Sequence, residues 1–358
     1  MVSTLPDLAG LELAELEDTV AAAGFQPFHA RQLYRWIHKR GVTSPLEMTD
    51  LPRVLRARLQ AEFAVATPQV LEDRTSVDGT RKLVLGLQDG RRIESVFIPD
   101  TPAMTFCIST QVGCAMGCGF CLTGQMGLVR HLTAGEIVGQ VRVLAARTGL
   151  LAESFNIVLM GMGEPLHNYD NTMKALRMLH AEQGLSVSPR RVTLSTVGIV
   201  PALDRLAQEP LMPNLAVSLH ATTDEMRTAL VPPNRKYPLD DILAACRRFP
   251  LKKRSRITFE YVLLDDVNDT LDDARRLVRL LNGLRAKVNL IPLNPAPGIP
   301  FERPSDARVD RFAAILAEKH ITVSVRKSRG RDIRAACGQL IVEGGPKKTA
   351  AQQVALLM

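Results

Sequence analysis

Residues 104–121, MTFCISTQVGCAMGCGFC, place three cysteines within eight positions, directly after a strand-like apolar run. Cys114, Cys118 and Cys121 have the spacing CxxxCxxC, and the glycines around them allow the chain to turn tightly. In parallel α/β folds, ligands bind at the carboxyl ends of the strands. The stretch therefore predicts a loop at the edge of a sheet that binds a metal ion or a metal cluster.

The number of cysteines bears on the kind of site that this loop forms. A structural zinc site generally needs four protein ligands. The nearest further cysteines are Cys107, inside the predicted strand, and Cys337, far along the chain. A [4Fe-4S] cluster bound by three thiolates would leave one iron open to a substrate or cofactor. The spacing therefore favours an open cluster over a structural zinc site or three buried thiols.

From about residue 103 the sequence alternates between strand-like and helical segments. One helical segment, 134–147, begins after Thr133, which forms a capping box with Glu136. Such alternation of helices with buried, Val/Ile/Leu-rich strands predicts a parallel sheet. The pattern alone leaves a six-unit partial barrel and an open doubly wound sheet unresolved. The six predicted strands are 104–110, 155–161, 191–196, 214–220, 257–264 and 287–293.

The first part of the chain is expected to form a small separate domain, residues 1–95. It contains three helical patterns at 11–24, 29–41 and 52–63, followed by two strand-like runs joined by Asp89-Gly90. This domain could dock RNA or simply stabilise the rest of the protein. Residues 96–345 are then the core domain, and residues 346–358 are a tail.

The charge of the chain favours a polyanionic partner. It has 45 basic and 37 acidic residues, a net charge of +8, and the basic residues cluster at 247–256 and 326–334. By itself this excess is equally consistent with a solvated basic face. Aromatic residues make up only 4%, which argues against an extended base-stacking surface. We expect neither a signal peptide nor a membrane span from this sequence, and its clustered cysteines suggest a reducing compartment, the cytoplasm.

The cysteine spacing on strand-helix units resembles the radical S-adenosylmethionine (SAM) superfamily. Six further motifs, over about residues 20–345, narrow the resemblance to the RlmN family of dual-specificity RNA adenine C2-methyltransferases. They are GMGEP (161–165), LSTVG (194–198), SLHA (218–221), FEYVLL (259–264), NLIPLNP (289–295) and RGRDIRAACGQL (329–340). The resemblance implies an α/β fold, a partial (β/α)6 radical SAM barrel with a small, mainly helical N-terminal domain.

The resemblance also implies a role for particular residues. Cys114, Cys118 and Cys121, hereafter the cluster cysteines, would bind one [4Fe-4S] cluster. Cys337 would carry a methyl group, Cys107 would form a disulfide bond with it, and Glu94 would act as the general base. Cys246 has no such counterpart and is expected to pack in the core. The expected SAM contacts are Gly163, Glu164, Ser195, Ser218, Leu219, His220 and Asn294.

The implied activity is methylation of C2 of adenosine in the peptidyl-transferase region of 23S rRNA and of adenosine 37 in certain tRNAs. Two SAM molecules per turnover, a methyl-cysteine intermediate and a 5′-deoxyadenosyl radical are implied with it. An electron donor such as flavodoxin or ferredoxin, no membrane partner and a monomeric state are also expected. Two alternatives are a Cfr-type enzyme that methylates adenine C8 and a non-catalytic iron-sulfur RNA-binding protein.

Overall fold

The computed structural model describes residues 5–99 and 104–341. Ten strands form one sheet, whose spatial order follows the chain without reversal. The last seven strands of this sheet pair in parallel, whereas the first three are antiparallel to their neighbours. The strands of this sheet are β1 Gln69–Thr75, β2 Arg81–Gly86, β3 Arg92–Ile98, β4 Thr105–Cys107, β7 Asn156–Leu159, β8 Val192–Thr196, β9 Asn214–Ser218, β10 Ile257–Leu263, β11 Ala286–Pro292 and β12 Thr322–Val325. A separate hairpin consists of β5 Gln111–Gly113 and β6 Leu128–His131.

This strand order settles the question between the two sheet architectures. In a doubly wound sheet the order reverses at a switch point, and here it does not. Because crossovers between parallel strands are right-handed, crossovers that all advance in one direction place their helices on one face. The other face lines the inside of a partial barrel. The predicted radical SAM barrel is therefore confirmed, as a mixed sheet with one more parallel strand than predicted.

The helices follow the predicted pattern closely. The capping box is present: Thr133 Oγ1 accepts from the Glu136 amide, and the Glu136 carboxylate accepts from the Thr133 amide. The helices are α1 Leu13–Ala22, α2 Pro27–Tyr34, α3 Arg53–Glu62, α4 Leu122–Met126, α5 Ala134–Thr148, α6 Tyr169–His180, α7 Val200–Leu206, α8 Asp224–Leu230, α9 Leu239–Arg248, α10 Leu271–Leu280 and α11 Asp306–Glu318. A π-helical turn, Arg35–Lys39, extends α2.

The first three helices have a hydrophobic core of their own, distinct from that of the barrel. They are joined to the barrel helix α6 by polar contacts, such as Arg177 Nε to Glu12 Oε1 at 2.6 Å and Tyr34 Oη to the Met178 carbonyl at 3.2 Å. Strands β1 to β3 already belong to the large sheet. The domain limits at residues 95 and 345 stay predictions, and the tail, 346–358, lies outside the described residues.

Two of the strands that the sequence analysis missed, β1 and β12, are weakly patterned edge strands of the large sheet. β1 is largely exposed and carries a bulge between Val70 and Glu72, and β12 has four residues, three of them exposed. An exposed edge has little need for the apolar run that marks a buried strand. No helix within the described ranges is both long and apolar enough to cross a membrane.

Candidate active site

A pocket opens at the carboxyl ends of the barrel strands. Because parallel strands end on the same side, motifs that are far apart in the sequence meet there. The pocket brings together the three cluster cysteines, Cys337 and most of the predicted SAM contacts. Its polar and sulfur-bearing lining includes Cys114, Cys118, Cys121, Glu164, Ser195, Ser218, His220, Glu260, Asn294, Arg326 and Cys337.

The loop that bears the cluster cysteines is held by the β5–β6 hairpin and by α4. Gly113 precedes it with a φ of 76°, and the Cys114 amide donates to the Gly127 carbonyl at 2.9 Å. A Cβ on Gly124, in α4, would lie 2.9 Å from the Cys118 amide nitrogen, so this helix packs directly on the loop. The loop conformation is thus determined by glycines at positions where a side chain would not fit.

The cluster cysteines suit a bound multi-iron cluster. They line one pocket, and burial raises the pKa of Cys114 to about 12 and also raises the pKa of Cys118 and Cys121. Such thiols ionise when a metal binds them. Across residues 5–99 and 104–341, no three His, Cys, Asp or Glu side chains converge closely enough to hold one metal ion. Three thiols in one pocket are the type of ligand that an iron–sulfur cluster takes.

Glu164 lies deep in the pocket, after the end of β7. One of its carboxylate oxygens accepts from the Val197 amide at 2.9 Å and the other from the Leu166 amide at 3.1 Å. Burial raises its pKa to about 7, against the opposing effect of these hydrogen bonds. Gly163 has a φ of 105°, and a Cβ there would lie 2.6 Å from Cβ of Gln111. The GMGEP turn therefore needs glycine to pack on β5.

Three further polar side chains of the predicted SAM site meet on the barrel's inner face. Ser195 and Ser218, at the ends of adjacent strands, have their hydroxyl oxygens 3.4 Å apart. Asn294 Nδ2 donates to the Cys337 carbonyl at 3.3 Å, while its buried Oδ1 has no partner within the described structure. Buried acceptors are normally satisfied. An unpartnered Oδ1 in the pocket lining fits a ligand that brings a hydrogen-bond donor, such as SAM.

His220 and Leu219 differ in how they meet the pocket. His220 Nδ1 accepts from the Val262 amide at 3.0 Å, and burial, helped by Arg227, lowers its pKa to about 3. The ring is therefore neutral and carries its proton on Nε2. The Leu219 side chain is fully buried in the barrel core and does not line the pocket, while its amide donates to the Glu260 carbonyl at 3.0 Å. Any contact of Leu219 with a ligand would be through its backbone.

The two proposed catalytic thiols lie close to each other but in different surroundings. Cys337 is exposed, whereas Cys107 is half-buried at the end of β4. Burial and the neighbouring Cys337 raise the pKa of Cys107 to about 12. All six cysteines are free thiols, so the predicted Cys107–Cys337 disulfide bond is absent from this structure. Cys246 packs in the barrel core, as expected.

Residues 326–341, hereafter the Cys337 loop, are bonded to their neighbours along most of their length. The Gly338 carbonyl accepts from the Leu122 amide at 2.9 Å, which connects this loop to the cluster-cysteine loop. At its start, Asp332 accepts from Ser76 Oγ at 2.5 Å, in the turn between β1 and β2. The exposed thiol is thus carried by a segment that is bonded both to α4 and to the β1–β2 turn.

Glu94 lies beside this loop rather than in the pocket lining. Its Oε1 is 2.8 Å from Lys82 Nζ, and its Oε2 accepts from the Ile341 amide at 2.9 Å. Burial raises the pKa of Glu94, and the charge of Lys82 opposes that shift. The carboxylate is therefore near the segment that bears Cys337.

The sequence analysis missed three charged residues of this region. Arg227 is fully buried and donates to carbonyls that follow β8 and β9. Glu260, buried in β10, and Arg326, after β12, both line the pocket. Glu260 could have been noticed as the one acid inside an apolar strand. Arg326 belongs to a basic cluster that the sequence analysis treated only as charge.

Comparisons with known proteins agree with this site. The family model described as the radical SAM superfamily matches residues 108–281, and that of the ribosomal RNA large subunit methyltransferase N-terminal domain matches residues 6–65. The dual-specificity RNA methyltransferase RlmN of Anaeromyxobacter dehalogenans is 51% identical, covering 95% of this chain and 93% of the relative. That of Syntrophobacter fumaroxidans is 50% identical, covering 93% and 97%. A crystal structure of a radical SAM methyltransferase from Sphaerobacter thermophilus is 48% identical, with a TM-score of 0.90, covering 94% of this chain and 99% of that chain.

The barrel, its three-cysteine pocket and these matches define a radical SAM methyltransferase, a class whose cofactors are SAM and a [4Fe-4S] cluster. Within that class the N-terminal match and the relatives' identity over nearly the whole chain are decisive. The chain belongs to the RlmN family of dual-specificity RNA methyltransferases. Neither the Cfr-type reading nor the non-catalytic one is favoured by these matches.

Proposed function

We propose that this protein methylates C2 of adenosine in the peptidyl-transferase region of 23S rRNA and at position 37 of certain tRNAs. The observation that carries the proposal is the exposed Cys337 thiol in the same pocket as the three cluster cysteines, with Cys107 near enough for Cys337 to raise its pKa. Membership of the RlmN family and the net charge of +8 support an RNA substrate.

The roles of the pocket residues follow from their chemistry. The cluster cysteines would bind the [4Fe-4S] cluster. Glu164, Asn294 and the two facing serines would orient SAM through hydrogen bonds. When bound, the cluster would supply an electron and SAM would supply a 5′-deoxyadenosyl radical. That radical would remove a hydrogen atom from the methyl group on Cys337. Two SAM molecules are used per turnover, because a separate SAM molecule provides the methyl group on Cys337.

Cys337, Glu94 and Cys107 would act in sequence on the base. The methylene radical on the Cys337 sulfur adds to C2, and Glu94 accepts the C2 proton. Cys107 then attacks the Cys337 sulfur, so that a sulfur–sulfur bond forms as the sulfur–carbon bond breaks. The released methylene gains a proton, and the base radical gives up one electron, which the oxidised [4Fe-4S] cluster would take back when bound; methyladenosine and a disulfide bond remain.

Adenine C2 lies on the minor-groove edge and cannot reach a thiol-borne carbon from within a stacked duplex. An unpaired or flipped adenosine in folded RNA therefore fits best. The predicted cytoplasmic location, monomeric state and flavodoxin or ferredoxin electron donor belong to this proposal as well.

Nucleoside mass spectrometry tests the proposal directly. Anaerobically reconstituted protein, incubated with SAM, a reductant and RNA, should yield 2-methyladenosine and 5′-deoxyadenosine. Formation of 8-methyladenosine would instead support the Cfr-type reaction. Absence of both methylated nucleosides and 5′-deoxyadenosine would contradict the radical reaction altogether.

Two cysteine variants separate the roles of the thiols. Cys107→Ala should accept a methyl group on Cys337, add to RNA and then stall as a nuclease-sensitive protein–RNA crosslink. Cys337→Ala should form no crosslink, because it has no sulfur to carry the carbon, and Cys246→Ala should behave as wild type. Methylated Cys337 without any RNA adduct in Cys107→Ala would mean that another group resolves the adduct.

A further inference from the structure

A buried ion pair joins strands β2 and β3 beside the Cys337 loop. Lys82 Nζ and Glu94 Oε1 are 2.8 Å apart, and their side chains are only 7% and 3% exposed. Burying two charges is costly, and removing one partner leaves the other uncompensated. Such a pair beside a proposed active site therefore calls for a functional explanation as well as a structural one.

Each partner of the pair also bonds to the Cys337 loop, on either side of the thiol. Lys82 Nζ donates to the Arg334 carbonyl at 3.3 Å, and Glu94 Oε2 accepts from the Ile341 amide at 2.9 Å. Arg334 has a left-handed φ of 53°, a conformation that a residue other than glycine seldom adopts without support from its surroundings. The segment that carries Cys337 is therefore attached to the ion pair at both ends.

We propose that Lys82 is a positioning residue of the methyl-transfer reaction, holding the Glu94 carboxylate and the Cys337 loop in a fixed relation. This inference rests on the proposed roles of Glu94 and Cys337. Lys82 itself need not touch the RNA or SAM.

The charge of Lys82 also bears on the proton transfer. Burial raises the pKa of Glu94 and so favours its neutral form, which cannot accept a proton. The charge of Lys82 lowers this pKa, whereas the charge of Glu72 on β1 raises it. Neutralising Lys82 should thus impair the step in which Glu94 takes the C2 proton. Methylation of Cys337, cleavage of SAM and addition to the base precede that step and should continue.

The experiment compares Lys82→Met, Lys82→Arg and a control, Lys174→Met, in the full-length reconstituted enzyme with RNA. Lys174 pairs with Glu15 at 2.7 Å, away from the pocket lining. In single turnovers, Lys82→Met should form 5′-deoxyadenosine within about twofold of wild type. Its covalent RNA adduct should resolve about tenfold or more slowly, because the Glu94 carboxylate that accepts the proton loses the cation that keeps it ionised. Lys82→Arg should largely restore resolution, and Lys174→Met should match wild type.

Glu94→Gln and the double variant distinguish positioning from a general loss of folding. Glu94→Gln should also accumulate adduct, and adding Lys82→Met to it should slow resolution little further, because the two residues act as one unit. Three outcomes would overturn the inference. They are an unchanged rate of adduct resolution in Lys82→Met, multiplicative effects on that rate in the double variant, and a parallel loss of every step in Lys82→Met. No methyladenosine from wild type would instead overturn the proposed function on which the inference rests.

Discussion

Arg227 provides the most direct test of how the barrel organises the proposed SAM site. Its side chain is fully buried and donates four hydrogen bonds, at 2.6–3.0 Å, across three segments. Burial lowers its pKa to about 10, so the guanidinium remains charged at neutral pH. The four acceptors are the carbonyls of Val197, Ser218 and Leu219 and Oδ1 of Asn234.

Replacing Arg227 with methionine keeps most of the apolar volume and removes every donor. A buried acceptor left without a partner costs about 1–3 kcal/mol. Four such acceptors, at the lower end of this range because the strand-end loops can relax, give a loss of about 4 kcal/mol. Arg227→Lys should fall between wild type and Arg227→Met, since one ammonium group cannot reach all four acceptors.

Urea unfolding of the apoprotein measures the loss, provided that fluorescence and circular dichroism transitions coincide. Arg205→Met is the matched control: Arg205 pairs with Asp170 at 2.6 Å on the surface, with side chains 59% and 82% exposed. That pair should contribute no more than about 1 kcal/mol. Arg227→Met should also weaken SAM binding, because Val197 and Ser218 line the pocket. A loss no larger than that of Arg205→Met, with unchanged SAM affinity, would refute the reasoning.

Three further predictions concern the cluster loop and the N-terminal core. Replacing any cluster cysteine with alanine should abolish iron-sulfur absorbance and SAM cleavage, whereas Cys246→Ala should retain both. A normal absorbance spectrum in any of the three cluster-cysteine variants would contradict the ligand assignment. Gly113→Ala would place a Cβ 1.9 Å from the Gly127 carbonyl oxygen. Gly149 has a similar positive φ but open space around it, so Gly149→Ala should cost only about 1 kcal/mol of unfolding free energy. Gly113→Ala should cost more than this control. His38 is buried with both ring nitrogens unpartnered within the described residues, and burial, followed by Arg142, lowers its pKa to about 3. Because the folded protein keeps His38 neutral, this histidine leaves the free energy of unfolding unreduced above pH 6.5. As pH falls from there toward 3, that free energy decreases. Wild type should therefore lose about 2 kcal/mol more than His38→Phe between pH 7 and pH 5, and equal losses in chemical denaturation would argue against this.

Local pattern was sufficient for much of the fold and for the centre of the site. The cysteine spacing, the strand-helix alternation and the capping box at Thr133 are all properties of short segments, and the structure contains each of them. The resemblance to the RlmN family, together with the carboxyl-end rule for parallel strands, predicted which motifs would meet. Glu164, Ser195, Ser218 and Asn294 do meet in one pocket, because their strands run in the same direction.

Tertiary structure alone decided which charged side chains are buried and what they join. Arg227, Arg326 and Lys82 cannot be told from surface cations by their sequence neighbours, since their partners lie on other strands and loops. The direction of a strand-end side chain has the same origin: Leu219 points into the core although both its neighbours line the pocket. The local sequence determines which chemical groups are present and how they are spaced along the chain. Contacts between distant segments determine which of them lose water, acquire partners and face the pocket, and those contacts exist only once the barrel has formed.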